Sequence, residues 1–184
     1  TYLTDAIAEA VIKSVRKASA DCLKNPEDYA ARGNMMWASS LAHNGQTQCG
    51  RTFQMAVHQL EHEVSGMYPK IAHGAGLAAL WCSWARYVYR ANISRWLQFA
   101  KNVWNLDIDF EHPEKTVEEA ISLQEQYYAS IGMPIGLKAL GVREADLPKL
   151  ALDCSRNHTR ILAGYRQLDY PDMLTIYRMA YERG

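Results

Sequence analysis

The chain of 184 residues reads as a single all-α, multi-helix bundle-like domain over residues 1–184, and three observations carry that reading. Apolar residues recur three and four apart through most of the length, which is the spacing of helices buried along one face. Short clusters containing Pro, Gly or Asn separate these stretches, giving about eight or nine helices with short connections. No segment alternates apolar and polar residues convincingly enough for a half-buried strand.

Taken in order, Thr4 is a suitable N-cap for a first helix with the stripe Ile7, Val11, Ile12 and Val15, running to about Leu23. Asn25-Pro26 supplies a cap followed by proline at the first helical position, so a second helix runs to about His43, where Asn44-Gly45 stops it. After a loop over Gln46–Thr52, a third helix carries Val57, Leu60 and Val64 and ends at Tyr68-Pro69. Proline has no N–H and pushes the residue before it out of the α region. His73 then falls at or near the start of a fourth helix, which passes from Ala75, Leu77 and Ala78 into Trp81, Trp84, Tyr87 and Val88. The aromatics look like a ligand platform, but their helical spacing favours core packing.

Ile93–Trp104 forms a shorter helix, and Pro113 and Thr116 open another that reaches Ser130 and is closed by Gly132. Leu137–Leu140 is a short helical piece closed by Gly141. Asp146-Leu147-Pro148 begins a helix through Asn157, and Pro171 begins the last, through Tyr181.

Composition narrows the function classes. Twenty basic and 20 acidic side chains cancel, against the basic excess that nucleic-acid binding requires. No apolar run approaches the roughly 18 residues of a membrane span, and no signal-peptide pattern opens the chain, so a cytoplasmic location is expected. Cys22, Cys49, Cys82 and Cys154 show no C-x-x-C spacing and are expected to be reduced, buried thiols. No strand followed by a glycine-rich turn is present, so the chain has no nucleotide site of its own. It opens on Thr1 directly before a helix, as a processed chain or a portion of something longer would.

Three of the six histidines lie in the segment from Val57 to Ala78. His58 and His62, four apart, share one helix face about 5–6 Å apart at Cβ. The break at Pro69 frees His73 to approach them. Neutral imidazoles in such a group suit Zn²⁺ or Fe²⁺, while the plain alternative is a pair of solvated surface histidines. His58-Gln59-Leu60-Glu61-His62 also matches H-x-x-E-H, the zinc-peptidase helix in which Glu is the general base. A third alternative is a non-catalytic all-α interaction domain. His43, His112 and His158 lie near helix ends and read as structural or solvated.

The blocks Asn25–Arg32, Met36-Trp37-Ala38-Ser39-Ser40, Asn44-Gly45, His58–Glu63 and His73–Ala78 resemble the C-terminal helical domain of the iron-containing (group III) alcohol dehydrogenases, most of all the butanol-dehydrogenase-like subgroup. Ile131-Gly132-Met133-Pro134, Leu140-Gly141-Val142 and Asp146 extend the resemblance. It implies a dehydroquinate synthase-like helical domain, with His58 and His73 as metal ligands for Fe²⁺ or alternatively Zn²⁺, and His62 as a catalytic neighbour near the nicotinamide. It also implies two further ligands, an Asp and a His, that precede this region and have no match in it. NAD or NADP would be bound mainly by an N-terminal α/β domain that is not part of this sequence. Primary alcohols and aldehydes are the implied substrates, with a homo-oligomer as the full-length state, an inert isolated chain, and Glu61 standing by. Gly50–Ala56 lacks the acidic-aromatic pair common in the family, which bears on substrate preference.

Overall fold

Residues 1–183 are described by a computed structural model, in which the helices form where the apolar periodicity places them. They are α1 (Tyr2–Lys24), α2 (Tyr29–His43), α3 (Ala56–Met67), α4 (His73–Val88), α5 (Ile93–Trp104), α6 (Pro113–Ser130), α7 (Leu147–Cys154) and α8 (Tyr170–Glu182). Short 3₁₀ turns follow α4 at Tyr89–Asn92 and precede α7 at Lys138–Leu140 and Glu144–Asp146. An isolated antiparallel bridge joins Leu162 and Leu168, and the described residues contain no longer strand.

Three boundaries differ from the sequence expectation, each for a local reason. Thr1, not Thr4, caps α1: the Thr1 hydroxyl accepts the Thr4 N–H at 3.3 Å, while the buried Thr4 hydroxyl donates to the Cys49 carbonyl at 2.8 Å. Asp28, not Asn25, caps α2. The Asn25 carboxamide accepts the Glu27 N–H at 3.1 Å and folds a turn, and Asp28 accepts the Ala31 N–H at 2.9 Å one step later. Finally, α7 stops at Cys154 instead of Asn157, because Arg156, Asn157 and His158 take left-handed φ values of 49°, 54° and 66°.

The core gathers around α4, which packs against α3, α6 and α8, while α7 contacts both α3 and α8. Leu60, Leu80, Ile121, Leu150 and Ile176 are fully buried there. Each such side chain contributes about 1.5–3 kcal/mol on burial. Trp96 is buried, and Trp81 and Trp84 pack against the core half-buried, so the aromatic run is core as expected. The α1–α2 hairpin contributes no side chain to this cluster and reaches it chiefly through α5. Arg95 and Arg51 both donate to Asp5 across that junction, Arg95 Nη2 at 2.6 Å and Arg51 Nη2 at 2.5 Å.

All four cysteines are free, but only Cys82 and Cys154 are buried; Cys49 is exposed and Cys22 half-buried, which corrects the expectation for those two. Among the described residues no helix is long and apolar enough to cross a membrane.

Candidate metal centre

Helix α3 buries the stripe Val57, Leu60, Glu61 and Val64, a spacing of three, four and seven that locks one face into the core. His58 and His62 therefore stand along its edge, His58 half-buried and His62 exposed. The Tyr68–Ala72 connection then turns the chain back. The Tyr68 hydroxyl donates to the Asp146 carboxylate and accepts the Arg143 N–H at 3.1 Å, which ties the loop to the turn before α7. The Ile71 N–H closes a turn on the Tyr68 carbonyl at 2.9 Å. His73 consequently sits at the first position of α4, over the histidines of α3.

The three imidazoles converge as the sequence anticipated. Ring centroids lie 5.2 Å apart for His58 and His73, 5.4 Å for His62 and His73, and 6.3 Å for His58 and His62. His73 is thus nearly equidistant from the other two. Burial, followed by the neighbouring His73 and His62, holds the pKa of His58 below its ordinary value, so this ring is neutral near pH 7 with a lone pair to offer. A set of neutral imidazole nitrogens fits a borderline divalent ion such as Zn²⁺ or Fe²⁺.

Glu61 is no bystander. Its side chain is fully buried, and its two oxygens are occupied: the Ser65 hydroxyl donates to Oε1 and His73 Nδ1 donates to Oε2. The ligating atoms of Glu61, His62 and His73 lie within 4.8 Å of one another. Because the Glu61 oxygens are turned into the protein and engaged, the imidazoles are the donors left for an ion. The same burial removes the H-x-x-E-H peptidase reading, in which this carboxylate would have to face a reacting water. The sequence did carry a signal for it, since a Glu on a core stripe is out of place.

Of the other candidates, Trp37 and Phe53 are 64% and 51% exposed, and Met67 packs against the core. His43 donates from Nδ1 to the Ser39 carbonyl at 3.0 Å, and His158 lies edge-on to Tyr170 at 4.4 Å. A crevice of about 630 Å³ is lined by residues that include Arg51, Phe53, Trp84, Arg95 and Tyr165, with no histidine. The imidazole cluster lies instead on an open face, with the His73 side chain 45% exposed.

The model of the Fe-containing alcohol dehydrogenase family, C-terminal, matches residues 1–181. NADH-dependent butanol dehydrogenase A of Clostridium acetobutylicum is 33% identical over 181 residues, covering 98% of this chain and 46% of that protein. NADPH-dependent aldehyde reductase YqhD of Escherichia coli is 30% identical over 152 residues, covering 80% of this chain and 38% of that protein. The crystal structure of NADH-dependent butanol dehydrogenase A from Thermotoga maritima matches with a TM-score of 0.90 at 29% identity, over 97% of this chain and 46% of that one. The chain thus spans about half the length of these relatives.

Proposed function

The chain belongs to the Fe-containing alcohol dehydrogenase family, and from that premise we propose that it is the metal-holding helical part of an NAD(P)-dependent enzyme interconverting primary alcohols and aldehydes. The observation that carries the reading is the convergence of His58, His62 and His73 from two helices onto one open face. His58 and His73 are the proposed ligands of a divalent ion, Fe²⁺ in the first place and Zn²⁺ in the second. An N-terminal α/β domain outside residues 1–184 would complete the ligand set, cover the open face and bind most of the dinucleotide. The relatives are NADH-dependent in one case and NADPH-dependent in the other, and the choice between the two is assigned in this proposal to that domain.

The ion and the dinucleotide, when bound, would supply Lewis acidity toward the substrate oxygen and a hydride acceptor or donor. The remaining tasks fall to this chain. His58 and His73 present imidazole nitrogens from two packed helices. His62, exposed beside His73, is the ring proposed to take or return the alcohol proton at an imidazole nitrogen. Burial of Glu61 keeps its carboxylate away from the reacting groups.

Alone, the chain should show no NAD(P)-dependent oxidation of butanol. Within a polypeptide that includes the dinucleotide domain, turnover and bound Fe²⁺ are both expected, and His73→Ala should abolish both. Turnover by the isolated chain, or His73→Ala leaving iron content and turnover intact, would overturn the assignment.

A further inference from the structure

Two helices depart from ordinary core chemistry at a single point of contact. On α3 the buried stripe Val57, Leu60, Glu61, Val64 carries a carboxylate where an apolar side chain would pack. On α4 the facing residue is Gly76, also buried, and a Cβ there would lie 2.3 Å from Glu61 Oε1 and 2.7 Å from its Cγ. The space for the glutamate is therefore made by the absence of a side chain on its neighbour. Burying a carboxylate is costly unless it is hydrogen-bonded, and this one accepts from the Ser65 hydroxyl and from His73 Nδ1. No Arg or Lys bonds to it. Stability alone does not call for a carboxylate here, since taking a charge out of water is costly and a matched apolar contact between the helices would avoid that cost.

We propose that Glu61 is a positioning residue for His73. It holds the ring in the Nδ1–H tautomer, with Ser65 fixing the carboxylate and Gly76 admitting it, so that the Nε2 lone pair points out of the protein. Carboxylate–histidine pairs of this kind set the tautomer and orientation of metal-binding imidazoles. The consequence for metal affinity rests on the site reading above; the tautomer itself does not.

The test uses the 184-residue chain with ¹⁵N-labelled histidine. Long-range ¹H–¹⁵N correlation spectra should show His73 as the Nδ1–H form in the metal-free chain. In Glu61→Leu the ring should shift toward the Nε2–H form that free histidine favours. Co²⁺ titration, followed through the His73 signals, should show affinity reduced about 10–100-fold. Glu61→Gln keeps an acceptor of the same shape and should retain the wild-type tautomer with a smaller loss of affinity. An Nε2–H ring at His73 in the wild type overturns the proposal, as does a Glu61→Leu chain with unchanged tautomer. If the wild type shows the Nδ1–H form yet Co²⁺ leaves its signals unmoved even in the polypeptide that includes the dinucleotide domain, positioning stands and the metal reading falls.

Discussion

Gly76→Ala is the perturbation whose size follows most directly from the packing. The added methyl would sit 2.3 Å from Glu61 Oε1 and 2.9 Å from its Cδ, well inside contact distance, on a side chain with no exposed surface to retreat toward. Overpacking of this kind costs about 1–3 kcal/mol, and displacing the carboxylate from Ser65 and His73 costs roughly 1.5–3 kcal/mol more. Against this, alanine gains about 1 kcal/mol over glycine inside a helix. The net is a loss of about 1.5–5 kcal/mol, or a melting temperature lower by roughly 3–20 °C in a domain of this size. Gly74→Ala, in the same helix with nothing within 4 Å of its added Cβ, is the control and should be neutral or stabilising. Thermal melts followed by circular dichroism compare the three proteins. A Gly76→Ala chain that melts at or above the Gly74→Ala chain would refute the argument, because helix propensity would then outweigh the cradle.

Other consequences are open to the same measurements. Asp5 is held well below the ordinary carboxylate range, first by its hydrogen bonds to Arg95, with Arg51 also contributing. A depressed folded-state pKa gives stability that is complete above the unfolded value near 3.9 and is lost as the pH falls below it. Asp5→Asn should therefore cost about 2 kcal/mol at pH 7, with urea denaturation showing the gap closing as the pH falls below about 4. Tyr68→Phe removes the hydroxyl that joins Asp146 and the Arg143 N–H, and should lower stability by about 1–2 kcal/mol in urea denaturation.

Most of the fold was legible because local chemistry and tertiary packing agree. Tyr68-Pro69 ends α3 as proline sterics require, and Gly132 and Gly141 take positive φ after helical segments, where glycine is expected. The misplaced starts of α1 and α2 arise from competing caps. Asn25 and Asp28 both accept a backbone N–H, and only the fold decides which one begins the helix. The end of α7 was illegible for a different reason: Arg156, Asn157 and His158 adopt left-handed conformations without a glycine to announce them. At the site, the spacing of four brought His58 and His62 together, and the proline break returned His73. Glu61 occupies the general-base position of H-x-x-E-H and a place on the core stripe at once, and the fold gives it the second role. Its partner Gly76 lies on another helix, and no local pattern shows that pairing.

The central claim, a metal centre with His58 and His73 as ligands and His62 as neighbour, is tested most directly by metal content in the polypeptide that carries both this chain and its dinucleotide-binding domain. The wild type, His58→Ala, His62→Ala and His73→Ala proteins would each be loaded with Fe²⁺, dialysed and assayed for bound iron. The account predicts about one equivalent in the wild type and in His62→Ala, and essentially none in the other two. Iron retained by His58→Ala, or lost from His62→Ala while His58→Ala keeps it, would contradict the assignment.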